Sequence, residues 1–161
     1  MKKFSLIIAA IAIALITSSS FSNRNAALEI GKQMPLTNVQ GADDAMNLST
    51  LHGQWVILSF WSAADAASRI AASQTYRNAE ALNADINFVS VNLDRSEALM
   101  NEIAQIDGIG GTLLHVTDTD AAMQLRRKFS MNSGLRTFLI DPEGRLAAVD
   151  PTSEQINRLI I

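Results

Sequence analysis

Residues 55–61 form a nearly continuous apolar run, Trp-Val-Ile-Leu-Ser-Phe-Trp, around which the rest of the chain is organised. A run of this kind is typical of a strand that is buried on both faces of a sheet. Ser62 follows it directly, and Asp65 stands three residues later, in the S-x-x-D spacing of a capping box. The pattern therefore predicts a strand that leads straight into a helix, with Ser62 as the N-cap of that helix.

Apolar patterning also predicts six further strands, at residues 34–39, 45–48, 86–93, 113–116, 137–140 and 146–149. The first two of these strands flank residues 41–44, whose sequence is typical of a turn, so we expect a short N-terminal hairpin. The last two flank residues 141–144, Asp-Pro-Glu-Gly, which have strong turn chemistry and predict a second hairpin.

Helical spacing of apolar positions predicts four helices, over residues 62–82, 96–107, 118–129 and 152–160. In the first helix, Ile70 and Tyr76 are the expected core contacts. The second helix carries Leu99, Ile103 and Ile106 at helical spacing. Strands that alternate with helices predict an α/β fold, in which a central mixed β-sheet is flanked by helices on both faces and the N-terminal β-hairpin is an addition.

The first 22 residues have the three parts of a secretory signal peptide. Lys2 and Lys3 supply the charge, residues 4–16 are apolar, and small residues ending at Ser22 fit a cleavage site. The apolar run is shorter than the roughly 20 residues that span a bilayer, which disfavours a retained anchor. We therefore expect cleavage after Ser22, which leaves residues 23–161 as one domain in the periplasm or cell envelope, with no membrane insertion.

Charge and cysteine content narrow the range of functions. Residues 1–22 carry two lysines and no acidic residue, so their removal takes the formal net charge from −3 to −5. An acidic domain is a poor partner for nucleic acid and for anionic membrane surfaces. The chain has no cysteine, which excludes disulfide bonds, thiolate catalysis and thiolate metal ligands.

Four segments, taken in order, are similar to those of a known family: residues 31–35 (GKQMP), 47–61 (NLSTLHGQWVILSFW), 89–94 (VSVNLD) and 137–145 (TFLIDPEGR). On these segments the chain resembles exported thioredoxin-like proteins of the TlpA/ResA type, which are thiol-disulfide oxidoreductases related to the AhpC/TSA proteins. The resemblance runs from about residue 28 to residue 160. It implies a thioredoxin-like fold, with the family's active site where the strand at residues 55–61 meets its helix.

The reactive motif of that family does not carry over to this chain. The family pattern F-W-x-x-W-C-x-x-C-R falls on residues 60–69, which read FWSAADAASR. Asp65 and Ser68 therefore stand where the two cysteines would be, in the sequence Asp65-Ala66-Ala67-Ser68. The glutamate that often follows the second cysteine by three residues falls on Ala71.

The family's cis-proline falls on Leu135, or on Arg136 in a shifted frame. A cis bond before leucine would cost roughly 3–4 kcal/mol, so we expect a trans bond and a reshaped groove. Disulfide exchange and peroxide reduction both need a cysteine thiolate, so we expect no catalytic residue and no cofactor. The expected function is binding of an envelope protein or peptide in the former active-site groove, formed by Trp61, Ser62, Asp65, Ser68, Gly134, Leu135 and Arg136.

Asp65 leaves an alternative open, an enzyme of another class that uses this carboxylate in the same groove. Such an enzyme would need an ordered partner group, for which Arg136 and His115 are the candidates. The competing interpretation is structural, because a negative charge at a helix N-terminus stabilises a fold by about 0.3–1 kcal/mol. The helix dipole also makes such a carboxylate a poorer general base. Ser68 has no histidine or lysine near it in sequence, which favours a structural serine over a nucleophile.

The roles of one tryptophan and of the two histidines depend on where the folded chain places their side chains. Trp61 lies beside the lost motif and belongs either to the core or to a peptide-binding surface. His52 and His115 are far apart in sequence and make a weak case for acid–base chemistry or a metal site, so no metal is expected.

Overall fold

A computed structural model describes residues 28–35, 38–40, 45–82 and 85–160. The predicted signal peptide lies outside these residues, so its presence and its cleavage after Ser22 stay predictions. Within the part of the chain that is described, no helix has the length and apolar character needed to cross a membrane.

The described residues form strands and helices in the predicted order. The strands are β1 (Asn38–Gln40), β2 (Ala45–Asn47), β3 (Trp55–Trp61), β4 (Ile86–Asn92), β5 (Thr112–His115), β6 (Thr137–Ile140) and β7 (Leu146–Val149). The helices are α1 (Ala66–Ala81), α2 (Glu97–Asp107), α3 (Thr119–Lys128) and α4 (Ser153–Ile160), with a short 3₁₀ segment at Leu48–Leu51.

Five of the strands form the predicted mixed sheet, in the order β5-β4-β3-β6-β7. Strands β3, β4 and β5 are parallel, while β6 and β7 run antiparallel to their neighbours. Strand β3 lies at the centre, and its residues from Val56 to Trp61 are all buried. This matches its nearly continuous apolar sequence, since both faces of a central strand are covered.

Helices cover both faces of this sheet, as the alternation of elements predicts. On one face, Val56, Leu58 and Phe60 of β3 pack against a core that includes Leu125 of α3 and Phe129 just after it. On the other face, Ile57 contributes to a cluster with residues of α1 and α4, and Trp61 to one with residues of α1 and α2. The result is a helix–sheet–helix sandwich with its core on either side of β3.

The N-terminal segment differs from its prediction. Where a strand is expected at residues 34–39, the described residues show β1 at Asn38–Gln40 and, before it, Met34 buried in the main core without strand pairing. Gln33 makes an isolated bridge to Arg145, so the segment covers the β7 edge of the sheet. Strands β1 and β2 pair antiparallel in a separate two-stranded sheet. The turn at residues 41–44 lies outside the described residues, so the hairpin itself stays a prediction.

Of the two core contacts expected in the first helix, that of Ile70 is wrong, because the helix turns a different face to the sheet. Ile70 is 57% exposed, and Ala72 of the same helix lies in the core. In α2 the buried residues are Met100 and Ala104, whereas Leu99 and Ile106 are exposed and Ile103 is partly buried. Tyr76 is partly buried, with its ring edge-on to Phe88 at 5.2 Å between centroids.

Candidate binding site

The candidate site lies at the edge of the sheet where the parallel strands end. Trp61, Asn92 and His115 end β3, β4 and β5, and they are cross-strand neighbours in the register of the sheet. Strand β6 begins at the same edge, since Thr137 pairs with Ser59. Helix α1 starts five residues after Trp61. Carboxyl ends of parallel strands are where α/β proteins commonly place ligand sites.

Asp65 is the N-cap of α1, which corrects the prediction of Ser62. Its Oδ1 accepts hydrogen bonds from the main-chain N–H groups of Ala67, at 3.1 Å, and Ser68, at 3.3 Å. These are N–H groups that a helix start leaves without partners, and an aspartate satisfies them well. The helix therefore begins at Ala66, and the carboxylate that replaces a family cysteine has a structural role.

Ser68 is 4% exposed, and its hydroxyl is used twice within the same turn. The hydroxyl donates to the main-chain oxygen of Asp65 at 2.9 Å, and it accepts from the N–H of Ser62 at 3.3 Å. No base contacts it among the described residues. The structural interpretation of Ser68 therefore holds over that of a nucleophile.

Asp94, just after β4, is an organising residue that the sequence analysis missed. Its carboxylate accepts the Ser62 hydroxyl at 2.8 Å and the Ala63 N–H at 2.7 Å. The amide of Asn92 donates to the same carboxylate at 2.7 Å. This competing carboxylate explains why Ser62 does not cap α1. The sequence signal that could have identified Asp94 is the Asn-x-Asp spacing of Asn92 and Asp94 at the end of β4, next to β3.

Trp61 is a core residue, which corrects its assignment to the groove surface. Its side chain is 0% exposed and packs with Ala72, Met100 and Ala104. The indole N–H donates to the Ser90 hydroxyl at 2.7 Å, so its one polar atom has a partner inside the protein. Of the two open interpretations of Trp61, core and peptide contact, the structure supports the core.

The segment before β6 is held by Asp150, another residue that the sequence analysis missed. The Asp150 carboxylate accepts the Arg136 guanidinium at 2.9 Å and the Thr137 N–H at 2.9 Å. The Arg136 carbonyl accepts the N–H of Phe60 at 3.0 Å, which ties the segment to β3. All described peptide bonds are trans, including those around Leu135.

Arg69 and Asp107 clamp the start of α1 to the end of α2. The Arg69 guanidinium donates two hydrogen bonds to the Asp107 carboxylate, at 2.6 and 2.9 Å, and a third to the Ala63 carbonyl at 3.3 Å. The hydrogen bonds from Arg69 lower the pKa of the Asp107 carboxyl below its ordinary value, and burial opposes them only in part. This pair fixes the orientation of the turn that precedes α1.

The two side chains considered as catalytic partners of Asp65, Arg136 and His115, each have another hydrogen-bond partner. Arg136 pairs with Asp150, and His115 Nε2 lies 2.8 Å from the main-chain oxygen of Asp94. His52 is exposed in the turn before β3. Across the described ranges, no group of three histidine or acidic side chains is arranged to hold a metal ion.

A groove of about 530 Å³ runs beside Ser68, between α1 and the start of α4; we call it the α1–α4 groove. Its α1 wall consists of residues at helical spacing, namely Ala67, Ser68, Ala71, Gln74, Thr75 and Asn78. Its other wall consists of Leu135, Thr137 and residues 150–153. Two of the predicted site residues, Ser68 and Leu135, thus face one open space. Which other residues line the groove depends on how α4 packs beside α1, and no local sequence pattern predicts that packing.

The sheet order and the site at the carboxyl ends of β3 and β4 define a thioredoxin-like protein. The AhpC/TSA family model matches residues 30–149, and the chain belongs to that family. A search of curated protein sequences finds no match to this chain.

Solved structures of similar fold are thioredoxin-like and thiol-disulfide oxidoreductase proteins. The thioredoxin domain of a thiol-disulfide oxidoreductase from Bacteroides vulgatus is 17% identical, with a TM-score of 0.71, over 83% of this chain and 99% of that one. A thioredoxin-like protein from Parabacteroides distasonis is 26% identical, with a TM-score of 0.63, over 80% and 98%. A secreted thiol-disulfide isomerase from Corynebacterium glutamicum is 19% identical, with a TM-score of 0.60, over 77% and 78%.

These findings confirm the thioredoxin-like fold and the family relationship that the sequence segments predict. They also define what is unusual here, since a chain with the fold of thiol-disulfide oxidoreductases contains no cysteine at all.

Proposed function

We propose that this protein is an exported, redox-inactive member of its family that binds a protein or peptide in the α1–α4 groove and around the start of α1. One observation carries the proposal. At the positions of the two family cysteines, Asp65 caps α1 and Ser68 is hydrogen-bonded back to Asp65, while an open groove of about 530 Å³ lies beside Ser68. A scaffold that keeps a binding surface but lacks every thiol is suited to recognition without turnover.

Redox inactivity follows from the chemistry of the family reaction. Thiol–disulfide exchange requires a thiolate to attack a disulfide sulfur, and reduction of peroxide requires a cysteine that becomes sulfenic acid. Neither the Asp65 carboxylate nor the Ser68 hydroxyl takes part in these steps. The alternative of another enzyme class gains no support, since the Asp65 carboxylate caps α1.

Export rests on the first 22 residues and on the secreted proteins among those of similar fold. Residues 1–22 carry the charge and apolar pattern of a signal peptide. The Corynebacterium glutamicum isomerase is described as secreted, as is a disulfide oxidoreductase from Mycobacterium tuberculosis with a TM-score of 0.57 at 14% identity. A partner in the periplasm or cell envelope is the consistent expectation.

Site-specific photo-cross-linking in the full chain tests the binding site. Benzoylphenylalanine replaces Ala67, which is exposed on the groove wall, or Gln124, which is exposed on α3 at the opposite face of the sheet. We expect a discrete cross-linked species from position 67 and none from position 124. Adding Ala71→Phe, which fills the groove from its α1 wall, should reduce the yield at position 67. Equal yields from both positions, or a yield from position 124 alone, would contradict the proposed site.

A further inference from the structure

A second groove, of about 500 Å³, lies between α1 and the end of α2; we call it the α1–α2 groove. Ile70, Ser73 and Arg77 of α1 line it together with Asp107 of α2. The two helices are held together here, because the Ser73 hydroxyl donates to the Asp107 carbonyl and the Arg69 guanidinium is paired with the Asp107 carboxylate. Its lining is almost entirely distinct from that of the α1–α4 groove, so it is a separate surface.

Exposed apolar side chains surround this groove. Ile70 is 57% exposed on its α1 wall, and Ile106, the neighbour of Asp107 in the chain, is 66% exposed. Leu99 lies two helical turns before Ile106 on α2 and is 41% exposed. Single exposed apolar residues are normal on a protein surface, but a cluster of them on two adjoining helices marks an interaction site.

Two exposed charges of opposite sign flank these apolar side chains. Arg77 lies two turns after Ile70 on α1, and Glu102 lies one turn before Ile106 on α2, so each charge shares a helix stripe with an exposed isoleucine. Within the described part of the chain neither charge takes part in an ion pair, since the ion pairs that form there use other side chains. A surface with apolar side chains and a free charge of each sign is complementary to a second copy of itself.

A twofold axis would match the two halves of this surface. Ile70 of one copy would pack on the partner's Ile106, Arg77 would pair with the partner's Glu102, and symmetry would repeat both contacts. The isoleucine and the charge are separated by about 10 Å of helix on α1 and by about 6 Å on α2. The long side chains of arginine and glutamate can span the difference between these two separations.

We infer that two copies of this chain associate about a twofold axis through the α1–α2 groove and the exposed stripe of α2 from Leu99 to Ile106. The inference goes beyond the proposed function, because it uses a surface apart from the α1–α4 groove. Few side chains take part and exposed ion pairs stabilise little, so the dimer is weak. The assembly presents two α1–α4 grooves, which raises its avidity for a partner that has two matching segments.

Sedimentation velocity of the full chain tests this inference. We expect a monomer at about 5 µM and a large fraction of dimer at about 500 µM, as for a dissociation constant of about 0.1 mM. Ile106→Glu places a charge among the apolar side chains and should weaken the association at least about tenfold. Ile30→Glu is the matched control and should associate like the parent, because Ile30 is 62% exposed at the β7 edge of the sheet. A parent that stays monomeric at the higher concentration, or association that Ile106→Glu leaves unchanged, would overturn the inference.

Exchange of the two charges tests their pairing. Arg77→Glu and Glu102→Arg each bring like charges together twice across the axis, so each should weaken the association at least about fivefold. The double variant restores opposite charges and should associate like the parent. Both side chains are exposed, so all three variants should keep the circular dichroism of the parent. A double variant that associates no better than either single variant would contradict the pairing of Arg77 with Glu102.

The sedimentation and cross-linking results separate this inference from the proposed function. A monomer that still gives the cross-linked species from position 67 would overturn the dimer and leave the proposed function standing. A dimer without that species would do the reverse.

Discussion

Asp65 and Ser68 are joined by two hydrogen bonds. The Asp65 Oδ1 accepts the Ser68 N–H at 3.3 Å, and the Asp65 main-chain oxygen accepts the Ser68 hydroxyl at 2.9 Å. In the family pattern these positions hold the two cysteines that exchange disulfides. Here the same two positions form the N-cap and the first turn of α1, with a carboxylate and a hydroxyl in place of the two thiols.

Asp65→Ala should lower the free energy of unfolding by about 0.5–2 kcal/mol, because alanine cannot accept the N–H groups of Ala67 and Ser68. Asp65→Asn should stay close to the parent protein, since asparagine caps helices as well as aspartate does. Urea denaturation measures both. Asp118→Ala removes the cap of α3 and is a matched control away from the site. An Asp65→Asn variant as unstable as Asp65→Ala would contradict the capping role.

Trp61→Phe should lower the free energy of unfolding by about 1–3 kcal/mol, because it leaves the buried Ser90 hydroxyl without the indole donor. Cross-linking from position 67 should continue in this variant, since Trp61 is not exposed to a partner. Urea denaturation and the cross-linking yield are the two readouts. Unchanged stability with loss of cross-linking would mean that Trp61 contacts the partner after all.

The Arg69–Asp107 pair should make stability depend on acidic pH. Hydrogen bonds from Arg69 lower the pKa of Asp107 in the folded state, so the pair stabilises the protein above the unfolded value of about 3.9. That stabilisation is lost as the pH falls through the lower, folded pKa. Arg69→Gln should therefore lower the thermal midpoint at pH 6 but much less at pH 2.

Arg77→Gln removes a positive charge from the same helix while keeping both hydrogen bonds from Arg69 to the Asp107 carboxylate, and it serves as the control. Its effect on the thermal midpoint should differ little between pH 6 and pH 2. If Arg69→Gln lowered the thermal midpoint equally at both pH values, the ion pair between Arg69 and Asp107 would not be the source of the pH dependence.

The central strand and its helix could be predicted from the sequence because their signals are local. A continuous apolar run gives β3, and good helix formers without breakers give α1. The cap could not be predicted, because Ser62 and Asp65 are both suitable residues and the choice is made by Asp94, 29 residues beyond Asp65 in the chain. Competition of this kind depends on which strands become neighbours.

Only those groove residues that align with the family motif or with its cis-proline could be predicted from the sequence. Ser68 and Leu135 are found by alignment to the family pattern, whereas Thr75 and Asn78 line the groove because α4 docks beside α1. The sequence leaves Trp61 open between the core and a peptide contact for a related reason. A tryptophan at the end of a strand is covered or exposed according to the packing of α2, which the local pattern does not specify.

The most direct measurement compares disulfide reduction by the parent protein and by the double variant Asp65→Cys/Ser68→Cys, with insulin as substrate and dithiothreitol as reductant. The parent should not exceed the rate without protein, because it has no thiol. The double variant should accelerate the reaction, since the introduced thiols sit at a helix N-terminus that favours the thiolate. Activity in the parent that Asp65→Asn abolishes would contradict the account, as would a folded double variant that forms the disulfide but stays inactive.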